Sequence, residues 1–378
     1  MKNRFIKTKF LSFIIFFLFL NQCELKQELN INGAFVSPFI TTDKLKLNGS
    51  IISDEVALQS SSTTILLSRT VVAEKSILFC SFRYGGSALS YSSTCSLNTS
   101  GNSIEVKTGG MYSGTYVRYT IIEFSLGVTV LRGEISVLNN SIGKNLEFSK
   151  SLDLTKNFVI FDTRGTSTDT TIDRGRFFKG SFTTSSKLEF KREAISPQIE
   201  INYQIIQMDG VQVQYGNVTL ASGVVSTTKT ITQVNLSKSI LFTSQTADST
   251  TVGVEGNYMV NSKFESNISL GFSRKGSTGA LDINYFVVEF TGDQVVIPGT
   301  CDVSENEKTC SSNLSTQIQD TNSVVLLFSN NINSTSSSDM DLSYFTGSIS
   351  GVGQNSKVTF ERVRQGGISV LSYFVVDF

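Results

Sequence analysis

The sequence predicts an all-β protein of four tandem, small antiparallel β-sandwich domains that follow a signal peptide and a short tether. The first observation is a tyrosine-initiated segment that occurs four times, at residues 119, 203, 285 and 373, which are 84, 82 and 88 residues apart. The second is that β-branched and aromatic residues alternate in short runs between clusters of Gly, Ser, Asn and Asp, as strands and turns do. The third is that no stretch of about ten residues has the apolar period of a helix.

The repeated segment, called the signature strand below, is apolar on both faces. Its copies are Tyr119–Phe124, Tyr203–Met208, Tyr285–Phe290 and Tyr373–Phe378. Alternation puts Tyr285 and Val287 on one face and Phe286 and Val288 on the other, which is typical of a central strand covered on both sides. The fifth position is acidic or an amide, and we expect it to face water or bond neighbouring backbone rather than a ligand. It is occupied by Glu123, Gln207, Glu289 and Asp377.

Two further segments recur in the same register. An apolar strand upstream of each signature strand begins at Lys75, Lys156, Lys238 and Asn322. Between the two lies an alternating strand followed by Arg192, Arg274 and Arg362 in three copies, with Thr108 in the first copy. We expect these arginines to be solvated charges at strand ends, with contacts to sugar or acidic partners as the alternative.

The length of the repeat decides between repeat architectures. A period near 82 residues is about twice that of a solenoid rung or propeller blade, so each copy is predicted to be a whole small sandwich of six to eight strands. The predicted organisation is a signal peptide at 1–22, a tether with possible edge strands at 23–62, and sandwiches at 63–133, 134–216, 217–299 and 300–378. In the tether, 33–40 and 50–58 are candidate strands. Because the joints between sandwiches are short, we expect a stiff row of domains.

The N-terminus predicts export. Four basic residues within positions 2–9 precede the apolar run Phe10–Leu20, whose eleven residues are fewer than the roughly 20 needed to span a bilayer. Cys23 follows in Leu20-Asn-Gln-Cys23. A leucine three residues before a cysteine resembles the signal of bacterial lipoproteins, and most closely the looser form found in spirochaetes. The resemblance implies cleavage before Cys23, lipidation of its sulfur, and a lipid-anchored place in the cell envelope, most simply the outer membrane. Secretion is the alternative.

The remaining cysteines form two close pairs. Removing Cys23 from the five cysteines leaves Cys80 with Cys95, and Cys301 with Cys310, each pair flanking a short polar loop. We predict two disulfides, which suit an exported protein; unrelated thiols are the alternative. The spacings do not suit zinc, and no histidine is available to help, so we predict no metal site.

Composition argues against several functions. The chain has no histidine, which removes Ser-His-Asp and Cys-His nucleophile arrangements. No glycine-rich phosphate loop opens a helix, and no basic patch follows residue 9, so we expect no enzyme activity, no cofactor and no nucleic-acid partner.

Two resemblances bear on function. The ordered segments closing on Tyr-Phe-Val-Val-Glu-Phe290 are similar to tandem β repeats of large exported bacterial proteins of uncertain function. Export, a lipid anchor and stiff repeats without catalytic chemistry predict an interaction or adhesin-like module with a host or cell-surface partner. The Lys238-Ser-Ile-Leu-Phe242 strand with an apolar closing strand resembles the H-type lectin sandwich, which implies glycan binding, although the tryptophan usual in that closing strand is absent. The alternatives to the adhesin-like module are therefore a lectin-like surface protein and a structural envelope scaffold.

Overall fold

The fold is all-β, as predicted. The computed structural model describes residues 45–49, 51–85, 92–110, 114–165, 174–195, 198–248, 255–314, 316, 318, 323–333, 340–351 and 355–378. Cys23, the signal peptide and the candidate strand at 33–40 lie outside the described residues. Regular structure within them is β-strand except for short 3-10 turns at Ala73–Lys75, Arg174–Arg176, Leu236–Lys238, Glu255–Asn257 and Met340–Ser343. No helix in this part of the chain is long and apolar enough to cross a membrane.

The strands fall into four units that repeat one arrangement. Unit 1 contains β1 (Lys46–Leu47), β2 (Ile52–Ala57), β3 (Ser62–Leu66), β4 (Ser76–Arg83), β5 (Ser93–Leu97), β6 (Ser103–Thr108) and β7 (Tyr116–Leu126). Unit 2 contains β8 (Val128–Val137), β9 (Gly143–Glu147), β10 (Asn157–Gly165), β11 (Lys179–Thr184), β12 (Lys187–Lys191) and β13 (Ile199–Met208). Unit 3 contains β14 (Val211–Leu220), β15 (Ser226–Thr230), β16 (Ser239–Ala247), β17 (Asn261–Ser266), β18 (Ser269–Ser273) and β19 (Leu281–Phe290). Unit 4 contains β20 (Val295–Val303), β21 (Thr309–Asn313), β22 (Ser323–Asn333), β23 (Thr346–Ser350), β24 (Lys357–Glu361) and β25 (Ile368–Asp377).

Each unit is a sandwich of two small antiparallel sheets. In one sheet the strand that contains the signature segment is central, with the orders β2-β7-β4, β8-β13-β10, β14-β19-β16 and β20-β25-β22. The other sheet has the orders β3-β6-β5, β9-β12-β11, β15-β18-β17 and β21-β24-β23. In unit 1, β1 also pairs with the far end of β7. The signature strand has a hydrogen-bonded neighbour on each edge. Its apolar side chains on both faces suit this central position, where the strand is covered on both sides.

Strand pairing groups the chain slightly differently from the repeat boundaries drawn on the sequence. The strand after each signature strand opens the next unit, so the joints drawn at 133/134, 216/217 and 299/300 fall inside β8, β14 and β20. The pairing register sets Gly133 opposite Tyr203, Gly216 opposite Tyr285 and Gly299 opposite Tyr373. At Gly216 an added Cβ would lie 2.6 Å from the tyrosine hydroxyl oxygen, so only glycine leaves room for the ring to lie across the strand.

The beginning of unit 1 lies within the segment assigned to the tether. The candidate strand at 50–58 is confirmed as β2, which pairs with β7 from Ile52 opposite Ile121 to Ala57 opposite Tyr116. β1 also lies in that segment. The described part of the 23–62 segment therefore belongs to the first sandwich, because β2 is hydrogen-bonded to one edge of β7.

The four units form a closed ring, which corrects the expectation of a row. When only the six strands that all four units share are counted, which leaves out β1, the fourth strand of each unit packs on the third and sixth strands of the next, as β5 does on β10 and β13, β11 on β16 and β19, and β17 on β22 and β25. β23 packs in the same way on β4 and β7, and this contact closes the ring. At the closing contact Arg83 Nη1 lies 2.5 Å from Glu361 Oε1, and the Tyr84 and Tyr344 rings meet edge to face at 4.9 Å.

In units 1 and 4 the two faces of the signature strand serve two different cores. One face packs inside its own sandwich, as Tyr119 does with Val106 and as Tyr373 does with Phe360. The opposite faces of all four strands belong to one large cluster, in which Phe378 meets Phe124 at 5.6 Å and Phe290 at 5.9 Å between ring centroids. The second apolar face predicted from the sequence therefore holds the ring together.

Candidate ligand-binding cavity

A cavity of about 620 Å³ lies where the four units meet. The third strands β4, β10, β16 and β22, which face the neighbouring unit in the ring, contribute to its walls from all four units. Every unit contributes, so the cavity exists only in the assembled ring.

Aromatic side chains form much of the wall. Phe79 of β4 stacks with Phe242 of β16 at 6.3 Å between centroids, and both line the cavity. Tyr84 and Tyr344 line it at the contact that closes the ring, and Tyr84 donates a hydrogen bond to Ser93 Oγ at 2.8 Å. Phe79 and Phe242, which are fixed on strands, offer a flat apolar surface to a ligand.

Asp162 places a carboxyl in this cavity. It lies on β10 opposite Asn202, is half-buried, and lines the cavity. Burial raises the pKa of Asp162 to about 7, and the backbone N–H of Cys95 opposes that rise by donating to the carboxyl. The other charged lining residues are Arg132, Glu134 and Arg176.

Arg132 and Gln204, which also line the cavity, are engaged in joining units 1 and 2. Arg132 donates to the backbone oxygens of Ala73 and Ser76 and, at 3.0 Å, to Gln204 Oε1. Gln204 accepts from Leu78 N at 3.0 Å and donates to Leu78 O at 2.6 Å. β4 is the edge strand of its sheet, and Gln204 thereby satisfies backbone groups on that edge. Burial lowers the pKa of Arg132 to about 10, so it remains a cation at neutral pH.

Both predicted disulfides are present. Cys80 on β4 and Cys95 on β5 are bridged with a Cα–Cα distance of 6.6 Å, and both line the cavity. Cys301 on β20 and Cys310 on β21 are bridged with a Cα–Cα distance of 6.0 Å. Each bridge joins the two sheets of one sandwich, in units 1 and 4. Lipidation of Cys23 stays a prediction, because that residue lies outside the described part of the chain.

The recurrent arginines are buried, which corrects the expectation of solvated strand-end charges. Arg192, Arg274 and Arg362 are 0%, 2% and 0% exposed. Their guanidinium groups donate to backbone carbonyls, as Arg192 Nε does to Ser141 at 2.8 Å and Nη2 to Leu138 at 2.7 Å. They tie the turn between the first and second strands of a unit to the rest of its sandwich. The sequence could not reveal this, because the accepting oxygens are backbone atoms about 50 residues away.

The acidic position of the signature strand behaves as expected. Glu123 accepts from the backbone N–H of Val72 at 2.8 Å, and Glu289 accepts from that of Asn235 at 2.8 Å. Val72 and Asn235 occupy the same place, immediately before a 3-10 turn. Arg69 forms an ion pair with Glu123, and these hydrogen bonds lower the pKa of Glu123 against the opposing effect of burial. In units 1 and 3 this position is structural.

Sequence reasoning missed Asp162 and the cavity. One signal was available: when the third strands are aligned, Asp162 stands where units 1 and 3 have Ser81 and Ser244. What the sequence could not show is that this position faces the centre of a ring. Within the described ranges, no group of three or more Cys, Asp or Glu is placed to hold a metal ion.

Comparisons with known proteins add no family. No family model matches the chain, and no curated protein matches it. Among solved structures, T=1 particles derived from infectious bursal virus match over 93% of this chain and 82% of that chain, with 9% identity and a TM-score of 0.11. At that TM-score the likeness carries no argument about fold or function.

Proposed function

We propose that this chain is a non-catalytic binding module of the bacterial cell envelope, anchored to the outer membrane by a lipid on Cys23. The observation that carries the binding role is the cavity of about 620 Å³ walled by all four units. Small-molecule sites occupy roughly 300–1,000 Å³, so the size suits a ligand. Because the walls are strands of packed sandwiches, the cavity is formed before a ligand arrives and little ordering cost is left for binding.

The envelope location is supported by the N-terminal sequence. A basic segment, the apolar run Phe10–Leu20 and Leu20-Asn-Gln-Cys23 stand in the order of a lipoprotein signal. The two disulfides agree with an oxidising compartment, where such bonds persist. Secretion without an anchor remains the alternative.

The non-catalytic role is supported by the chemistry of the chain. Without histidine, the common nucleophile–base arrangements are not available. In the cavity, the guanidinium of Arg132 already donates to backbone oxygens and to Gln204, so it serves the joint between units.

The closed ring changes the form of the adhesin-like hypothesis. Contacts with a host or cell-surface partner are made by a compact body rather than by a stalk of domains in a row. The cavity favours the lectin-like alternative, since a site with fixed rings and hydrogen-bonding groups suits a glycan. The third candidate is an envelope scaffold, supported by a ring whose interfaces are occupied by its own units.

The anchor is tested by metabolic labelling with an alkyne-tagged fatty acid and mass spectrometry of the mature N-terminus. We expect a lipid-modified N-terminal Cys23 in the native protein and no label in Cys23→Ala. Protease treatment of intact cells should then release the ring from the surface. A mature protein that begins at another residue contradicts the anchor, and one that resists the protease while lysed cells lose it contradicts surface exposure.

The binding role is tested on the whole mature chain, since an isolated unit lacks three of the four cavity walls. Thermal unfolding is measured with a small-molecule and glycan library. A ligand that raises the midpoint in a saturable manner supports a binding module. No ligand in the library, together with an envelope defect on gene deletion, favours the scaffold.

A further inference from the structure

Equivalent hydrogen bonds cross three junctions of the ring, and the accepting group differs at one of them. A backbone N–H of the fourth strand donates to a side chain on the third strand of the next unit. Gly180 N donates to Ser244 Oγ at 3.2 Å, and Ser262 N donates to Ser329 Oγ at 2.8 Å. At the junction of units 1 and 2 the donor is Cys95 N and the acceptor is the carboxyl of Asp162.

A carboxyl is more than this junction requires. A serine hydroxyl accepts the same bond at two other junctions, whereas an ionised carboxylate offers about four acceptor positions and loses solvation when buried. Asp162 lies on the cavity wall, and its raised pKa reflects the loss of solvation of the carboxylate. A carboxyl that lies at the wall of a preformed cavity, and whose burial destabilises the folded protein, is explained by an interaction with a ligand in that cavity.

The surrounding charges define the ligand. Arg132 and Arg176 line the cavity and disfavour a cation, while Glu134, joined by Asp162 once its carboxyl is ionised, disfavours an anion. Phe79, Phe242 and other rings offer apolar faces, and the polar lining offers both donors and acceptors. A neutral polyhydroxylated molecule matches that set, because its hydroxyls donate and accept hydrogen bonds and its C–H faces pack on rings.

We propose that the central cavity binds a short neutral oligosaccharide, with Asp162 accepting hydrogen bonds from its hydroxyls and the aromatic wall packing on its sugar faces. This rests on the proposed role as a binding module, and it assigns the site and the ligand class.

The test uses the disulfide-bonded mature chain at pH 8, where the Asp162 carboxyl is ionised, on an array of neutral, sialylated and sulfated oligosaccharides, followed by calorimetry with the strongest neutral glycan. We expect neutral glycans to bind. Asp162→Ser, which installs the residue that the other junctions use, should weaken binding at least about tenfold, as expected for loss of a charge-assisted hydrogen bond, without lowering the thermal midpoint. Asp162→Asn keeps the side-chain volume and should weaken the same glycan if the serine variant does not fold.

Asp209→Asn is the matched control, since it removes a carboxylate whose side chain is 45% exposed and pairs with Lys156 rather than lining the cavity. It should bind as the native protein does. The proposal is overturned by a blank array, by binding confined to charged glycans, or by Asp162 variants that bind neutral glycans within about twofold of the native protein, a difference too small for a lost charged partner. A blank array with a saturable ligand of another class overturns the oligosaccharide but leaves the binding module, so the two failures are distinguishable.

Discussion

Replacing Arg274 with alanine tests how a sandwich unit is held together. Its side chain is 2% exposed, and its guanidinium joins the turn after β14 to the turn before β19. Nε donates to Val224 O at 3.0 Å, and Nη2 donates to Ala221 O at 3.0 Å and to Gly279 O at 2.8 Å. Burial lowers the pKa of Arg274, which the nearby Asp248 opposes.

The expected loss in the free energy of unfolding is about 3–5 kcal/mol, because removing the guanidinium leaves several backbone oxygens without a donor. The oxygen of Ala221 keeps the backbone N–H of Val224, at 3.0 Å, as a partner. The loss therefore falls mainly on the buried oxygens of Gly279 and of Asn257, which accepts from Nη1 at 3.2 Å, at roughly 1–3 kcal/mol for each buried acceptor left without a donor. The space vacated by the side chain adds to it.

The assay is urea unfolding of the mature chain, comparing midpoints at an unchanged dependence on denaturant. Lys263→Ala is the control: its side chain is 45% exposed and pairs with Glu265 in the same unit, so a change within about 0.5 kcal/mol is expected. Arg274→Lys should fall between the two, because one ammonium cannot reach both turns. If Arg274→Ala loses less than about 1 kcal/mol, the turns are held by other contacts and the reasoning is wrong.

Three other predictions follow from the fold and the cavity. Between pH 4 and 7 folded Asp162 keeps a proton that the unfolded chain has released, so the free energy of unfolding should fall as the pH rises to about 7 and then level off. Asp162→Asn should lack this slope, and its free energy of unfolding should be higher by as much as about 4 kcal/mol at pH 8, measured by urea unfolding across pH. Gly216→Ala should lose about 1–3 kcal/mol by the same assay as its methyl group displaces the Tyr285 ring, and an unchanged midpoint would contradict the tight pairing. Replacing both Cys301 and Cys310 with serine should lower the free energy of unfolding by about 2–3 kcal/mol under oxidising conditions. In that variant, added reductant should shift the unfolding midpoint only through the remaining Cys80–Cys95 bridge.

Some site features were readable because they depend on near neighbours in sequence. The pairs Cys80–Cys95 and Cys301–Cys310 are separated by 15 and 9 residues, so a short loop brings each pair together. The backbone-bonding role of Glu123 was also expected from its place at a strand end. The arginines failed the same reasoning, because a polar residue after an amphipathic strand has the same sequence pattern whether it meets water or buried carbonyls.

The cavity was beyond the reach of such reasoning. Asp162 gains its surroundings from Cys95, 67 positions away, and the ring closes through Arg83 and Glu361, 278 positions apart. No local pattern reports a contact of that separation. Similar units with short joints are compatible with either a row or a ring. The repeat alone therefore did not distinguish the two, and only the contact between the fourth unit and the first does so.

The sequence by itself determined the building block: its strands, its fourfold repetition, the two apolar faces of the signature strand and the cysteine pairing. These follow from alternation and spacing, which act over a few residues or within one unit. Only the tertiary structure decided which unit each opening strand joins, how the arginines are buried, and that four sandwiches close around a shared cavity. The reason is physical: closure depends on whether the side chains of the last unit complement those of the first, and that match is made in space rather than along the chain.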